Sequence, residues 1–291
     1  MFLAYIKKKQ YFCAKMCEKQ FIGIIPARYG STRFPGKPLA LIGGKPMIQR
    51  VYEQAQKALK TVVVATDDER IYACVKGFDG EVVMTKSEHR CGTERCEEAV
   101  AQLKNKNCGL RDGELIVINI QGDEPFITPE QIEAIKGCFA DEKTQIATLV
   151  KPFTDADGIA ELENPNIVKV ALAADGTALL FSRSVIPYLR GIDQSEWLRQ
   201  GKHFRHIGMY AYRAEVLQEI VQLPQSPLEK AESLEQLRWL ENGYKIKAAV
   251  CETASIGIDT PEDLQKAEAF LQACVSKASR KRPEANIQKK N

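Results

Sequence analysis

Histidine is scarce, with three residues at 89, 203 and 206, and the nine cysteines contain no Cys-x-x-Cys pair. Zinc sites are built from clustered Cys and His, so this supply and spacing disfavour one. An odd cysteine count without paired spacing reads as reduced thiols in a cytosolic protein. No window approaches eighteen consecutive apolar residues, and none is expected to span a membrane. The first twenty residues also lack the continuous apolar stretch and small-residue cleavage site of a secretory signal. Charge of one sign is nearly absent as a surplus: 41 Lys and Arg face 38 Asp and Glu, a net +3 over 291 residues. Much of that excess lies in Lys7 to Lys9 and between Lys277 and Lys290, which read as solvated tails. The near-neutral middle disfavours a nucleic-acid binder. Neither Gly-x4-Gly-Lys-Ser/Thr nor Gly-x-Gly-x-x-Gly is present, and no internal repeat or low-complexity segment is visible.

What the chain does have is alternation. Short apolar runs at Phe21–Pro26, Thr61–Ala65, Glu81–Thr85 and Glu114–Ile120 are each followed by a segment with helical apolar spacing. Strands apolar on both faces, alternating with helices, predict a parallel sheet covered on two sides. Thr128-Pro129-Glu130-Gln131 reads as a capping box with proline at the first helical position. Past residue 145 the pattern changes. A hairpin is expected from Val168–Leu172 and Ala178–Ser182 around Asp175-Gly176, then a loop over 190–203 and a strand over His206–Tyr212. One helix over roughly 229–241, a strand over Lys245–Val250 and a helix opened by Thr260-Pro261-Glu262-Asp263 complete the chain. The expected fold is α/β: a three-layer, doubly wound, mostly parallel mixed sheet in a single domain. Residues 1–20 are expected to be a loose extension, with Met16 an alternative start. Residues 21–273 form the domain, and 274–291 a basic, disordered tail.

The segment that organises this pattern is Arg28-Tyr29-Gly30-Ser31-Thr32-Arg33-Phe34-Pro35-Gly36-Lys37, directly after the first apolar run. Glycine lets backbone approach a ligand closely, and arginine and lysine supply fork and point charge for phosphate. A polyphosphate or nucleotide is the expected ligand; the alternative is a basic surface loop ending in ordinary turns. Two aspartates stand outside the helix caps: Asp259 lies one position before the cap at Thr260, and Asp123 well ahead of Thr128. Mg²⁺ takes one or two carboxylates plus phosphate oxygens. Either aspartate alone is equally well read as a turn-former, but with the basic loop beside them metal binding is favoured. Arg183, after a strand, could close a salt bridge or hold an anion. His206 reads more readily as structural, and Glu235 and Gln236 as solvent-facing helix formers.

The run Pro26 to Leu39, together with Gly92-Thr93-Glu94-Arg95, Asn119-Ile120-Gln121-Gly122-Asp123-Glu124-Pro125 and Ile258-Asp259-Thr260-Pro261-Glu262-Asp263-Leu264, resembles the 3-deoxy-manno-octulosonate cytidylyltransferases. Leu180-Phe181-Ser182-Arg183, Arg205-His206-Ile207-Gly208, Ser226-Pro227-Leu228-Glu229 and Leu234-Glu235-Gln236-Leu237-Arg238 match in order as well, so the likeness runs from about Phe21 to Leu271. The resemblance implies a nucleotide-diphospho-sugar transferase-like fold with a small antiparallel dimerisation subregion, a cytoplasmic homodimer, and Mg²⁺ as cofactor. It implies cytidylyl transfer from CTP to 3-deoxy-manno-octulosonate (Kdo), activating Kdo for lipopolysaccharide synthesis. Ala27, Arg28, Ser31, Arg33, Lys37 and Gln121 would meet the nucleotide, with Arg33 and Lys37 catalytic beside the metal-holding Asp123 and Asp259. Gln121, Arg183, His206, Tyr210, Glu235 and Gln236 would form the sugar side. The chain departs from the family pattern at Cys91, usually serine, and at Phe34, usually leucine. Competing readings are a cytidylyltransferase for another acidic sugar such as a sialic acid, and a non-catalytic nucleotide-sensing module. A glycosyltransferase would usually show Asp-x-Asp, absent after the fourth strand.

Overall fold

Both faces of the first strand are apolar: Ile22 and Ile24 turn one way, Ile25 and Ala27 the other, and all four are buried. Such a strand needs cover above and below, and the fold follows from that need. In the computed structural model, which describes residues 19–30, 34–106, 110, 113–253 and 257–280, β1 (Gln20–Ala27) pairs in parallel with β4 (Thr61–Thr66) and β6 (Leu115–Asn119). β5 (Val82–Met84) extends the parallel set beyond β4. On the far side of β6, β10 (Phe204–Arg213) runs antiparallel, then β7 (Ile146–Pro152) and β11 (Ile246–Val250) close the order β11-β7-β10-β6-β1-β4-β5. A two-stranded ribbon, β2 (Leu41–Ile42) and β3 (Lys45–Pro46), stands apart.

Helices α1 (Met47–Ala55), α2 (Glu69–Gly77) and α4 (Pro129–Gly137) cover one face through Ile48, Val51, Ile71, Val75, Ile132 and Ile135. The other face is covered by α3 (Gly92–Asn105) and by helices from the second half of the chain, α7 (Ala214–Ile220) and α9 (Glu235–Glu241). The three-layer, mixed and mostly parallel architecture expected from the sequence is therefore present. The capping box at Thr128 and Gln131 is formed in both directions. The hairpin β8 (Lys169–Leu172) and β9 (Ala178–Ser182) leaves the sheet at β10.

Five elements depart from the sequence reading. Strand β7, buried from Ile146 to Val150, was not expected, although it is an apolar run like those read as strands. The segment 190–203 is not wholly loop; α6 (Trp197–Gln200) follows a 3-10 turn at Gln194–Glu196, and Trp197 is buried. The helix expected over 229–241 is two: α8 (Pro227–Glu232) and α9, broken at Ser233, which adopts φ +52. The break is held from outside, because the Glu232 carboxylate accepts from Ser182 Oγ and Arg183 N, both at 2.7 Å. A short helix, α5 (Ile159–Glu163), precedes β8, and the last helix, α10 (Pro261–Arg280), continues past the boundary at 273. Among the described residues no helix is long and apolar enough to cross a membrane.

Candidate functional site

Parallel pairing puts the carboxyl ends of β1 and β6 at the same sheet edge, where open α/β sheets bind ligands. Ala27 ends β1 and is buried, so the loop begins at exposed Arg28. After β6 the chain turns through Gln121-Gly122-Asp123. Gly122 suits that close approach: a Cβ there would stand 3.0 Å from the Pro26 carbonyl oxygen, a tight contact. Asp259 arrives from the far end of the chain. The backbone joins the two aspartate loops directly, Ile258 N donating to Asp123 O at 3.0 Å. Thr260 and Asp263 cap α10 reciprocally at 3.1 and 3.2 Å, which leaves Asp259 outside the cap.

Lys37 connects these parts. It starts a 3-10 turn (Lys37–Leu39), and its Nζ donates to Asp123 Oδ2 at 2.7 Å and to Asp259 Oδ1 at 3.1 Å. The ammonium thus occupies the space between two carboxylates that belong to loops 136 positions apart in sequence. A cleft of about 280 Å³ opens over them, lined among others by Arg28, Lys37, Cys91, Gln121, Asp123 and Asp259. Ser31 and Arg33, expected here too, lie outside the described residues.

Lys37 is aimed by the turn before it. Gly36 has φ +72 and its N–H donates to Tyr29 O at 2.9 Å, closing the loop at its base. A Cβ at Gly36 would sit 3.0 Å from the Tyr29 ring, and the Arg70 guanidinium lies 3.3 Å from the centroid of that ring. Arg70 is itself held by both Asp68 oxygens at 3.0 and 2.6 Å. Gly36→Ala therefore meets both a left-handed backbone and a ring with little room to move. Strain of one to two kcal/mol per residue in that region is expected to lower folding stability by about that amount, read as a lower Tm in a thermal melt. An unchanged Tm would mean that the turn relaxes around the added methyl group.

The residues expected on the sugar side form a second group. Glu235 opens α9 and accepts from Cys91 Sγ at 3.1 Å and Thr93 Oγ1 at 3.0 Å; burial raises its pKa, and these two donors pull it back. Gln236 is buried, so the solvent-facing reading of this pair does not hold. Tyr210 is buried against Trp239 and His206, and its hydroxyl has no hydrogen-bond partner among the described residues. His206 Nε2 lies 2.9 Å from Thr148 Oγ1, with Phe181 edge-on; burial lowers its pKa to about 3, so the ring is neutral. Gln121 lies near, since a Cβ on Gly208, in the β10 bulge after His206, would be 3.8 Å from its Cγ. Arg183 is placed differently. Its Nε donates to Glu232 O at 2.6 Å and one terminal nitrogen to Pro165 O at 2.9 Å, tying the hairpin to the α8–α9 break. It does not line the cleft around Lys37. Sequence reasoning noted Cys91 only as a departure from the family's serine and gave no individual role to Thr93 or Arg95. Arg95 is buried in the wall of the cleft and donates to Asp67 at 3.0 Å; a cation on the apolar face of a helix was its one available signal.

A basic loop behind the first strand, two carboxylates at the same edge and a three-layer sheet define a nucleotide-handling α/β transferase class. A family model described as Cytidylyltransferase matches residues 22–246. The chain belongs to that family, and within it to the 3-deoxy-manno-octulosonate cytidylyltransferases. A protein of that name from Parabacteroides distasonis is 62% identical over 253 residues, covering 87% of this chain and 98% of the relative. Another from Phocaeicola vulgatus is 59% identical over 252 residues, covering 87% and 97%. A solved CMP:2-keto-3-deoxy-manno-octonic acid synthetase complexed with CTP is 41% identical, with a TM-score of 0.77 over 87% of this chain and 99% of that one.

Proposed function

We propose that the protein transfers the cytidylyl group of CTP to the anomeric 2-hydroxyl of Kdo, releasing pyrophosphate. The observation that carries this reading is the meeting of Lys37, Asp123 and Asp259 at the sheet edge of a chain similar to a CTP-bound synthetase. The donor set also fits Mg²⁺. Two carboxylates already face one cation, the Lys37 ammonium, and among the described residues no third Asp, Glu, His or Cys joins them. Such a site is completed by phosphate oxygens and water. Bound there, Mg²⁺ would neutralise phosphate charge and acidify an attacking hydroxyl.

Arg28, Ser31, Arg33 and Lys37, with the backbone at Ala27, would hold the triphosphate, and Arg33 and Lys37 would take up the charge of the departing pyrophosphate. In-line displacement at the α-phosphorus asks for positioning and charge neutralisation more than for covalent help. With a pKa near 3, His206 is too weak a base to accept the hydroxyl proton at neutral pH and orients by hydrogen bonding instead. Gln121, Tyr210, Glu235 and Gln236 would meet the sugar. Arg183 would reach the sugar carboxylate with its second terminal nitrogen, which has only a long 3.5 Å bond to Ser233 O. A homodimer through the hairpin is part of this reading: among the described residues β9 pairs only with β8, it exposes Leu179 and Leu180, and Tyr188 follows it exposed. The reaction would run in the cytoplasm, where CTP is available.

Purified protein incubated with CTP, Mg²⁺ and Kdo should form CMP-Kdo with matching pyrophosphate release, and a sialic acid in place of Kdo should not. CTP binding without pyrophosphate release under these conditions would favour a sensing module.

A further inference from the structure

Two cavities meet at the first turn of α3. One is the cleft over Lys37; the other, of about 430 Å³, is lined among others by Arg90, Cys91, Lys230, Glu235 and Arg238, and Arg90 and Cys91 border both. Glu235 faces this junction, and each of its oxygens takes one donor from α3: Oε1 from the Cys91 thiol and Oε2 from the Thr93 hydroxyl. The cation beside it, Arg238, is 3.9 Å away and already committed to Glu229 at 2.6 and 2.9 Å. A partly buried carboxylate is thus held by two neutral donors, with the Arg238 guanidinium only at ion-pair distance from Oε1. A carboxylate has about four acceptor sites, so two stay available once these are filled.

We propose that Cys91 and Thr93 are positioning residues that hold the Glu235 carboxylate in one orientation for the hydroxyl groups of the acidic sugar. The inference rests on the reading above that Glu235 belongs to the sugar side. Its physical content is directional. Without the thiol, Oε1 loses its only donor from α3 and the carboxylate turns about its last side-chain bond, so its remaining lone pairs no longer point one way. The same contact works in reverse on Cys91: burial first, then the Glu235 charge, push the thiol up to about 12, so it stays a protonated donor. The other charged or titratable groups that act on Glu235 and its ring neighbours are Arg238, which lowers its pKa, Glu229, which raises it, and the buried Tyr210 and Tyr212.

Cys91→Ala removes a group that lowers the Glu235 pKa, so the carboxyl stays protonated to higher pH. The acid limb of kcat/KM for Kdo should move upward in pH, and KM for Kdo should rise about five- to tenfold, the scale of one ordinary hydrogen bond, since a thiol is a weak donor. KM for CTP should change much less than KM for Kdo. Thr93→Val should act in the same direction, and Cys91→Ser, which restores a donor, should recover the wild-type profile. A Kdo KM and acid limb unmoved in both Cys91→Ala and Thr93→Val, or a CTP KM that rises in step with that for Kdo, would overturn the assignment. A second arm needs no turnover. Peptide-resolved alkylation of Cys91 by iodoacetamide in the intact protein should be slow, and severalfold faster in Glu235→Gln, where no negative charge opposes the thiolate. An unchanged alkylation rate would remove the contact itself. Absence of CMP-Kdo from the wild-type protein would instead refute the proposed reaction and leave this arm readable.

Discussion

Asp123→Ala and Asp259→Ala are each expected to lower kcat by about a thousandfold or more, the scale of losing a group that organises charge at a transferring phosphoryl centre. Each variant leaves Lys37 with one carboxylate and the proposed metal with one protein ligand. The fold should be nearly indifferent. Asp123 and Asp259 are 33% and 48% exposed and pair with one lysine, and ion pairs at such a wet rim contribute about 0–1 kcal/mol. A thermal melt close to wild type alongside lost turnover is therefore the predicted pair of observations. Asp→Asn at either position should also fail, because an amide keeps the shape but not the charge. A variant at either position that turns over at nearly the wild-type rate would dismantle the metal assignment.

Arg238→Met should produce the largest loss of stability. Arg238 and Glu229 are 4% and 6% exposed, and the guanidinium grips both carboxylate oxygens. Glu229 also completes the capping box of α8, accepting from Ser226 N at 3.2 Å. Removing the cation leaves a buried carboxylate without its counter-charge, which costs about 3–5 kcal/mol and for a domain of this size lowers Tm by roughly 10 °C. Adding Glu229→Gln in the same chain should recover part of the loss, since the stranded charge goes with it. Urea unfolding of the single and double variants decides the matter: equal stabilities would mean that the pair's charge is not what holds α8 against α9.

The parts of the site legible in the sequence are those with local causes. The apolar run ahead of Arg28 had to be buried, and the glycine-rich basic turn behind it reads as a loop for a phosphate. Thr260-Pro261-Glu262-Asp263 accounts for its own cap and so sets Asp259 apart, and the structure then brings that residue to Lys37. Ser31 and Arg33, read from the same loop, lie outside the described residues. What misled the reading was non-local. The helix over 229–241 has an unbroken helical pattern, yet Ser233 interrupts it because Glu232 is claimed by Ser182 and Arg183 from the hairpin. Arg183, read as closing a salt bridge or holding an anion, donates to the backbone carbonyls of Glu232 and Pro165, contacts that no local pattern signals.

Spacing and residue type by themselves determined the three layers, the ligand-bearing edge and the two aspartates worth watching, because burial of alternating side chains and helix capping act over a few residues. Only the tertiary structure decided that Lys37 bridges both aspartates, that β7 fills the gap between β10 and β11, and that Cys91 reaches across 144 positions to Glu235. Those contacts join segments distant in the chain, and no local propensity encodes which distant partner a polar group will meet.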